Sequence, residues 1–190
     1  MLDGQRVLGF DLETTGFDPR SDRIVQYAFV GSDFDGSHVG LQSVVDPGVR
    51  IPPEATSVHG ISDADVSGKG GFSDHLGVFS DLIGGSVIVG HNVLAFDWRF
   101  VEMEYARVGR EVPEPLGILD TLVLSRRVGL PRPHKLGSLC ERFGIALERA
   151  HTADADAGAA LLLLWKIMQG LAKKSDRSLE GLLNLMGNRA

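Results

Sequence analysis

Three strand-like segments follow one another with only short turns between them, and that removes most of the folds open to this chain. Arg6 to Leu12 and Ile24 to Val30 are rich in Val, Ile, Phe and Tyr, and His38 to Val45 alternates as a strand with one buried face does. Gly16 to Asp22 and Asp33 to Ser37 carry the Gly, Pro, Asp and Ser of turns. Parallel neighbours need crossovers of a dozen or more residues, so these strands are predicted to form an antiparallel meander.

Downstream the pattern changes. Asp46 to Ser67, with three prolines and two glycines, reads as a long irregular connection. Helical spacing covers Phe72 to Ile83, about Phe96 to Val108, Thr121 to Arg127, Leu136 to Phe143, Asp156 to Leu171 and Leu179 to Met186. Short apolar strands fall at Ser86 to Val89 and around Gly117 to Leu119, and Asp120 is placed to cap the helix after them. The expected fold class is α/β, a mixed sheet of three antiparallel strands plus short parallel strands, flanked by helices. At 190 residues and 43% hydrophobic content, one well-filled core is expected. Residues 1–172 are read as one domain and 173–190 as a C-terminal helical extension or tail.

Nothing from Met1 to Arg6 resembles a signal peptide, and the longest apolar run, Ala159 to Trp165, is too short to span a bilayer, so a soluble cytoplasmic protein is expected. The lone Cys140 offers no disulfide or zinc framework and reads as a small core residue. A net charge of −6 runs against a uniformly basic nucleic-acid binder. Catalytic acids would contribute to that count, and bound cations would reverse the local field. Arg126, Arg127, Arg132, His134 and Lys135 form the densest basic stretch, fit either to touch a phosphate backbone or to stand as a solvated loop.

Three distant segments concentrate acid and imidazole groups. Asp11 and Glu13 sit two apart on a strand and so leave the same face of the sheet. They are followed by Thr14-Thr15-Gly16, where a backbone can approach a ligand closely. Asp97 lies at the predicted start of a helix after His91 and Asn92, where an aspartate also serves as a plain helix cap. His91 and Asn92 are placed either to brace such a site or to satisfy buried backbone. His151 precedes Asp156 by five positions at the approach to the last long helix, with Asp154 a rival carboxylate. Four carboxylates and a nearby proton acceptor suit a pair of divalent cations and phosphodiester chemistry.

Together, Asp11-x-Glu13-x-Thr15-Gly16, the block from His91-Asn92 to Phe96-Asp97, and His151 to Asp156 resemble the three motifs of the DEDDh (DnaQ-like) family of 3′–5′ exonucleases. Ile51 to Ile61, with Pro52, Pro53, Glu54 and His59, is similar to the segment after the third strand in epsilon-type proofreading members. The likeness runs from about Arg6 to Leu164. The tyrosine subfamily is excluded, because its tyrosine would fall at Thr152 and the chain's tyrosines are Tyr27 and Tyr105.

The resemblance implies a ribonuclease H-like fold and two Mg²⁺ or Mn²⁺ ions held by Asp11, Glu13, Asp97 and Asp156, with His151 as general base. It implies substrate contacts at Thr14, Thr15, Gly16, Glu54, His59, His91, Asn92 and Phe96. The middle block has one residue more than the commonest form between Asn92 and Phe96, which bears on the orientation of His91 and Asn92 rather than that of Asp97. The expected activity is removal of nucleoside 5′-monophosphates from 3′ ends of DNA, single-stranded or frayed ends being preferred. An RNA-directed enzyme similar to ribonuclease T or oligoribonuclease is the alternative, and a non-catalytic module binding nucleic-acid ends or a polymerase is another. The expected partners are nucleic acid and a separate polymerase or repair protein.

Overall fold

The computed structural model describes residues 2, 4–147 and 152–187, the side chains of 174 and 175 excepted. Strand β1 (Val7–Thr14) is the centre of the molecule because its first four residues are buried on both faces. It pairs antiparallel with β2 (Ile24–Ser32), which pairs antiparallel with β3 (His38–Val44). On its other side β1 runs parallel to β4 (Val87–Gly90), and β4 runs parallel to β5 (Gly117–Asp120). The five strands therefore lie in the order β3-β2-β1-β4-β5, the mixed sheet expected from the sequence.

Helices cover both faces, and the two-residue period of β1 decides which side chain meets which layer. Leu8, Phe10 and Leu12 enter an aromatic core with Phe79 of α3 (Phe72–Ile83) and Phe100 of α4 (Asp97–Arg107). Val7 points the other way, into a core built with Leu124 of α5 (Thr121–Arg127), Leu139 of α6 (Leu136–Phe143) and Leu163 of α7 (Ala153–Gly170). By the same alternation, Gly9, Asp11 and Glu13 face α7. The last helix, α8 (Leu179–Met186), buries Leu182 and Met186 in that core, and the Asp120 amide donates to Met186 Sδ at 3.2 Å.

The segment from Asp46 to Ser67 departs from the irregular connection expected. It contains two helices, α1 (Pro53–His59) and α2 (Asp63–Val66). The prolines that suggested a loop stand at the entry to a helix, where Pro53 lacks only a donor that would be unpaired anyway. Gly60 ends the helix in the left-handed region at φ 77° and donates to Thr56 O. Asp65 then accepts the Ser62 amide at 2.8 Å to start α2.

One close approach governs the α7 side of the sheet. A Cβ on Gly9 would lie 2.3 Å from the Ala157 carbonyl oxygen, and Ala28, Ala153 and Ala157 complete a patch of small residues. The helix backbone thus rests almost directly on β1. Gly9→Ala must therefore lever α7 away, an overpacking penalty of about 1–3 kcal/mol in urea unfolding. Gly158→Ala, whose Cβ would meet only Val30 Cγ1 at 4.0 Å, should leave stability unchanged or raise it. Equal effects at the two positions would contradict this account of the packing.

Candidate active site

The site lies at the carboxyl end of β1, where the sheet opens. Pairing between β1 and β4 covers Val7 to Gly9, leaving the Leu12 amide beyond the partner strand. Asp97, at the start of α4 and only 3% exposed, takes that amide onto Oδ1 at 3.0 Å. A cap-like carboxylate is thereby tied to the central strand as well as to its own amide.

Between β4 and α4 the longer middle block is absorbed by a turn. Asn92 adopts φ 68°, and its carbonyl accepts from the amides of Ala95 and Phe96. Buried Asp120 ties the turn down, accepting the Asn92 and Leu94 amides at 3.0 and 3.2 Å while capping α5 through Leu122 and Val123. His91 directs both ring nitrogens into the protein. Nε2 donates to the His134 carbonyl at 2.9 Å, and Nδ1 lies 2.9 Å from Thr121 Oγ1, whose hydroxyl donates to the Gly90 carbonyl at 3.1 Å. Burial lowers the pKa of the ring. The ring is a brace joining β4, α5 and the loop before α6.

Helix α7 brings in the third segment. Asp154 accepts from Gln42 Nε2 at 3.1 Å, toward β3. Asp156 turns to β1 instead, and Asp11, Glu13 and Asp156 each offer an oxygen within 4.8 Å of the others. Orientation along one helical turn thus separates the two carboxylates. His151 lies outside the described residues.

Burial raises the pKa of Asp11 well above the usual carboxylate range, with the charges of Asp97, Glu13 and Asp156 adding to it. Burial, with Asp156 and Asp97, raises Glu13 to about 8. Burial likewise raises Asp97 to about 7 against the opposing pull of its backbone donors. No Lys or Arg forms an ion pair with Asp11, Glu13 or Asp97 among the described residues. Hard oxygen donors crowded without a countercharge fit a divalent cation, which would restore their ionised form.

The loop after β1 is held from outside. Glu104 of α4, 1% exposed, receives Arg23 on both oxygens at 2.7 and 3.0 Å and Arg107 at 3.0 Å. Arg107 also donates to the carbonyls of Pro19, Arg20 and Asp22. Asp22 in turn accepts from Thr15 Oγ1 at 3.1 Å and lies so close to Gly16 that a Cβ there would strike its carboxylate. Thr14 Oγ1 donates to Gly16 O at 2.6 Å.

On α1, His59 Nδ1 accepts the Ile61 amide at 3.1 Å, which leaves the proton on Nε2, buried, turned toward the Thr14 backbone and without a hydrogen bond of good geometry among the described residues. Its pKa is lowered by burial. Glu54 is exposed in the first turn, and five residues of helix separate the two side chains by about 140° around the axis. Phe96 packs on Phe100 at 5.1 Å and faces Phe17 at 6.3 Å. Phe17 is 89% exposed beside the Thr14 to Gly16 loop. Sequence reasoning passed over Phe17, although an aromatic directly after Thr-Thr-Gly was a visible signal. It also missed the pairing of Glu104 with Arg23 and the turn-holding role of Asp120 toward Asn92 and Leu94, partners distant in sequence. Cys140 is buried and its thiol is pushed up to about 11, first by burial and then by Asp156, as suits a core residue.

Residues 8–164 match the exonuclease family (RNase_T). A DNA polymerase III subunit epsilon from Treponema pallidum is 30% identical over 169 residues, covering 87% of this chain and 78% of that one. A PolC-type DNA polymerase III from Lacticaseibacillus paracasei is 34% identical over 167 residues, covering 86% of this chain but only 11% of the relative. The chain thus spans about a tenth of the length of its PolC-type relatives. Among solved structures, Exonuclease X in complex with 5′ overhanging duplex DNA superposes with a TM-score of 0.69 at 25% identity, covering 95% of this chain and 99% of that one.

The electrostatics set a pH dependence of stability. Glu13 titrates near 8 in the fold against 4.5 ordinarily, so between these values the folded protein keeps a proton that the unfolded chain has lost. Stability without cations should therefore fall as pH rises through that interval. Thermal melts in chelator are expected to show this decline, and Glu13→Gln to flatten it. Adding a divalent cation should raise Tm more at pH 8 than at pH 5, because protons compete for the same oxygens. A cation-free Tm that climbed with pH across this range would contradict the assignment.

Proposed function

The chain belongs to the exonuclease family, and from that premise we propose a metal-dependent 3′–5′ exonuclease that removes nucleoside 5′-monophosphates from DNA, preferring single-stranded or frayed ends. The observation that carries the reading is the convergence of Asp11, Glu13 and Asp156 oxygens within 4.8 Å, beside buried Asp97. Binding a nucleic-acid end or a polymerase does not by itself require four clustered acids. The epsilon and PolC-type relatives support nascent DNA ends as substrate and a polymerase or repair protein as working partner. We take 1–172 as the exonuclease unit, with 173–190 an extension docked through α8. No helix among the described residues is long and apolar enough to cross a membrane.

In this mechanism Asp11, Glu13, Asp97 and Asp156 would hold two Mg²⁺ or Mn²⁺ ions. Such ions supply Lewis-acid stabilisation of the phosphate and leaving oxygen and acidify the attacking water. His151 accepts the proton of that water on an imidazole nitrogen, the side chain best suited to general-base work at neutral pH. His59 presents Nε2–H as a donor to an oxygen of the last nucleotide. The Thr14 to Gly16 backbone, fixed by Asp22, positions its sugar, while Glu54, Asn92 and Phe96 frame the nucleotide. His91 acts through the turn it braces. An end already unstacked enters more readily, having met an unpairing cost of a few kcal/mol beforehand.

Single replacement of Asp11, Glu13, Asp97 or Asp156 by Ala is expected to remove nearly all turnover, as is excess chelator, whereas Asp154→Ala should be mild. His151→Ala should lower kcat by about 10²- to 10⁴-fold and abolish the acidic limb of the pH–rate profile, with KM little changed. His59→Ala should raise KM and leave cation dependence in place. The deciding assay follows DNA and RNA oligonucleotides labelled at the 5′ end, with a free or phosphate-blocked 3′ end. A ladder of shortened products from the free DNA end supports the reading. Cleavage of a circular strand, or full activity in chelator, would overturn it.

A further inference from the structure

A wide cleft lies beside the carboxylates rather than among them. It has a volume of about 900 Å³, and its polar lining includes His91, Asn92, Arg126, Arg132, His134 and Lys135, with no carboxylate among its lining residues. In a chain of net charge −6 this is a local reversal of sign. Among the described residues, the side chains of Arg126, Arg132 and Lys135 make no ion pair, whereas Arg6, Arg23, Arg99 and Arg107 are each paired with an acid.

The cleft is also built. His91 holds the His134 carbonyl from β4, and Arg142 of α6 donates to the carbonyls of Pro131 and Arg132 at 2.7 and 3.4 Å. His134 Nδ1 lies 3.2 Å from Ser125 Oγ on α5. The backbone carrying Arg132 and Lys135 is therefore tied to three separate elements, while the charged ends of those side chains face solvent.

Its place in the sheet gives the cleft a direction. Because β1, β4 and β5 are parallel, their carboxyl ends share one edge. Asp11 and Glu13 end β1, His91 follows β4, and Arg126 lies one short helix beyond β5. Two strand spacings separate β1 from β5, about 10 Å. The Thr14 to Gly16 loop and His59 lie on the opposite side of the carboxylates, next to β2. A strand with its last nucleotide at His59 would cross the carboxylates and leave over the cleft.

We propose that this cleft binds the phosphodiester backbone of the single strand just upstream of the scissile bond, through Arg126, Arg132 and Lys135. The identity of the strand rests on the exonuclease reading. Arginine and lysine here serve as phosphate contacts without base readout, so the cleft supplies affinity and direction rather than sequence preference. It also gives an acidic protein a salt-sensitive grip on nucleic acid.

The test compares the protein with the triple variant Arg126→Gln/Arg132→Gln/Lys135→Gln. A matched variant, Arg110→Gln/Lys166→Gln/Lys173→Gln, removes the same charge from the far ends of α4 and α7. Fluorescence anisotropy follows a 5′-labelled twelve-nucleotide DNA strand whose last linkages are phosphorothioate to suppress cleavage, with Mg²⁺ present, over a range of salt. A dinucleotide, too short to span both regions, and an RNA strand of equal length serve as further arms. Loss of three backbone contacts should weaken the long strand at least about tenfold at 0.1 M salt and make the log Kd–log salt slope shallower by about 2, with the dinucleotide much less affected. The matched variant should bind like the parent.

Equal loss on DNA and RNA identifies the phosphates as the contact, as proposed, whereas loss on RNA alone would overturn a DNA-backbone site. Unchanged affinity in the cleft variant, equal loss in the matched variant, or no binding of the long strand by the parent would also overturn it. Product formation by the parent from an unmodified strand is scored separately. Binding through the cleft without cleavage would sink the exonuclease reading alone, and cleavage with unaltered binding in the variant would sink the cleft alone.

Discussion

The contact on which this structure depends is the near-touching of two backbones, β1 at Gly9 and α7 at Ala157. With a Cβ position only 2.3 Å from a carbonyl oxygen, any side chain at residue 9 would separate helix and sheet. The alternation of the strand then places the acids, since Gly9, Asp11 and Glu13 share one face and the first turn of α7 lies over it. Asp156, one residue before Ala157, is thereby brought to the acids of β1. The small residues Ala28, Ala153 and Ala157 extend the close fit along the helix. Packing, rather than attraction between functional groups, assembles the site.

Those groups in fact repel one another. Asp11, Glu13 and Asp97 all have raised pKa values, with burial the leading cause in each case. Such an arrangement persists only when the scaffold fixes it more strongly than the charges oppose it. Asp97 is anchored by the Leu12 amide. The turn before it is held by Asp120. The loop after β1 is clasped by Glu104 through Arg23 and Arg107. Asp120 and Glu104 are acids with strong donors of their own, serving position rather than chemistry, and each stands on an element different from the one it steadies.

Local signals in the chain were enough for much of the architecture. The helices at Phe72–Ile83, Thr121–Arg127, Leu136–Phe143 and Leu179–Met186 have the bounds that apolar spacing and caps indicate. Asp120 caps α5 as its position before Thr121 suggests. Legibility failed between Asp46 and Ser67, because proline was weighed as a breaker although it also opens helices, and Gly60 was weighed as a loop residue although it also ends them. Glu104 was hidden for a different reason. Its partner Arg23 is 81 residues away, and its nearer partner Arg107, three positions on, makes the kind of pair that a solvated helix face also carries.

The sequence by itself determined the kinds of group available and their local geometry: two acids on one face of a strand, an aspartate at a helix start, and a histidine leading an aspartate by five. These arise from periods of 2 and 3.6 that the chain carries internally. Only the tertiary structure decided that Asp156 turns to β1 while Asp154 turns to Gln42, that the longer turn at Asn92 leaves Asp97 on Leu12, and that the basic stretch from Arg126 to Lys135 lines a cleft with His91 and Asn92. Each of these depends on distances between elements remote in sequence. Such distances are set by how closely backbones pack, a quantity the pattern of residues along the chain does not contain.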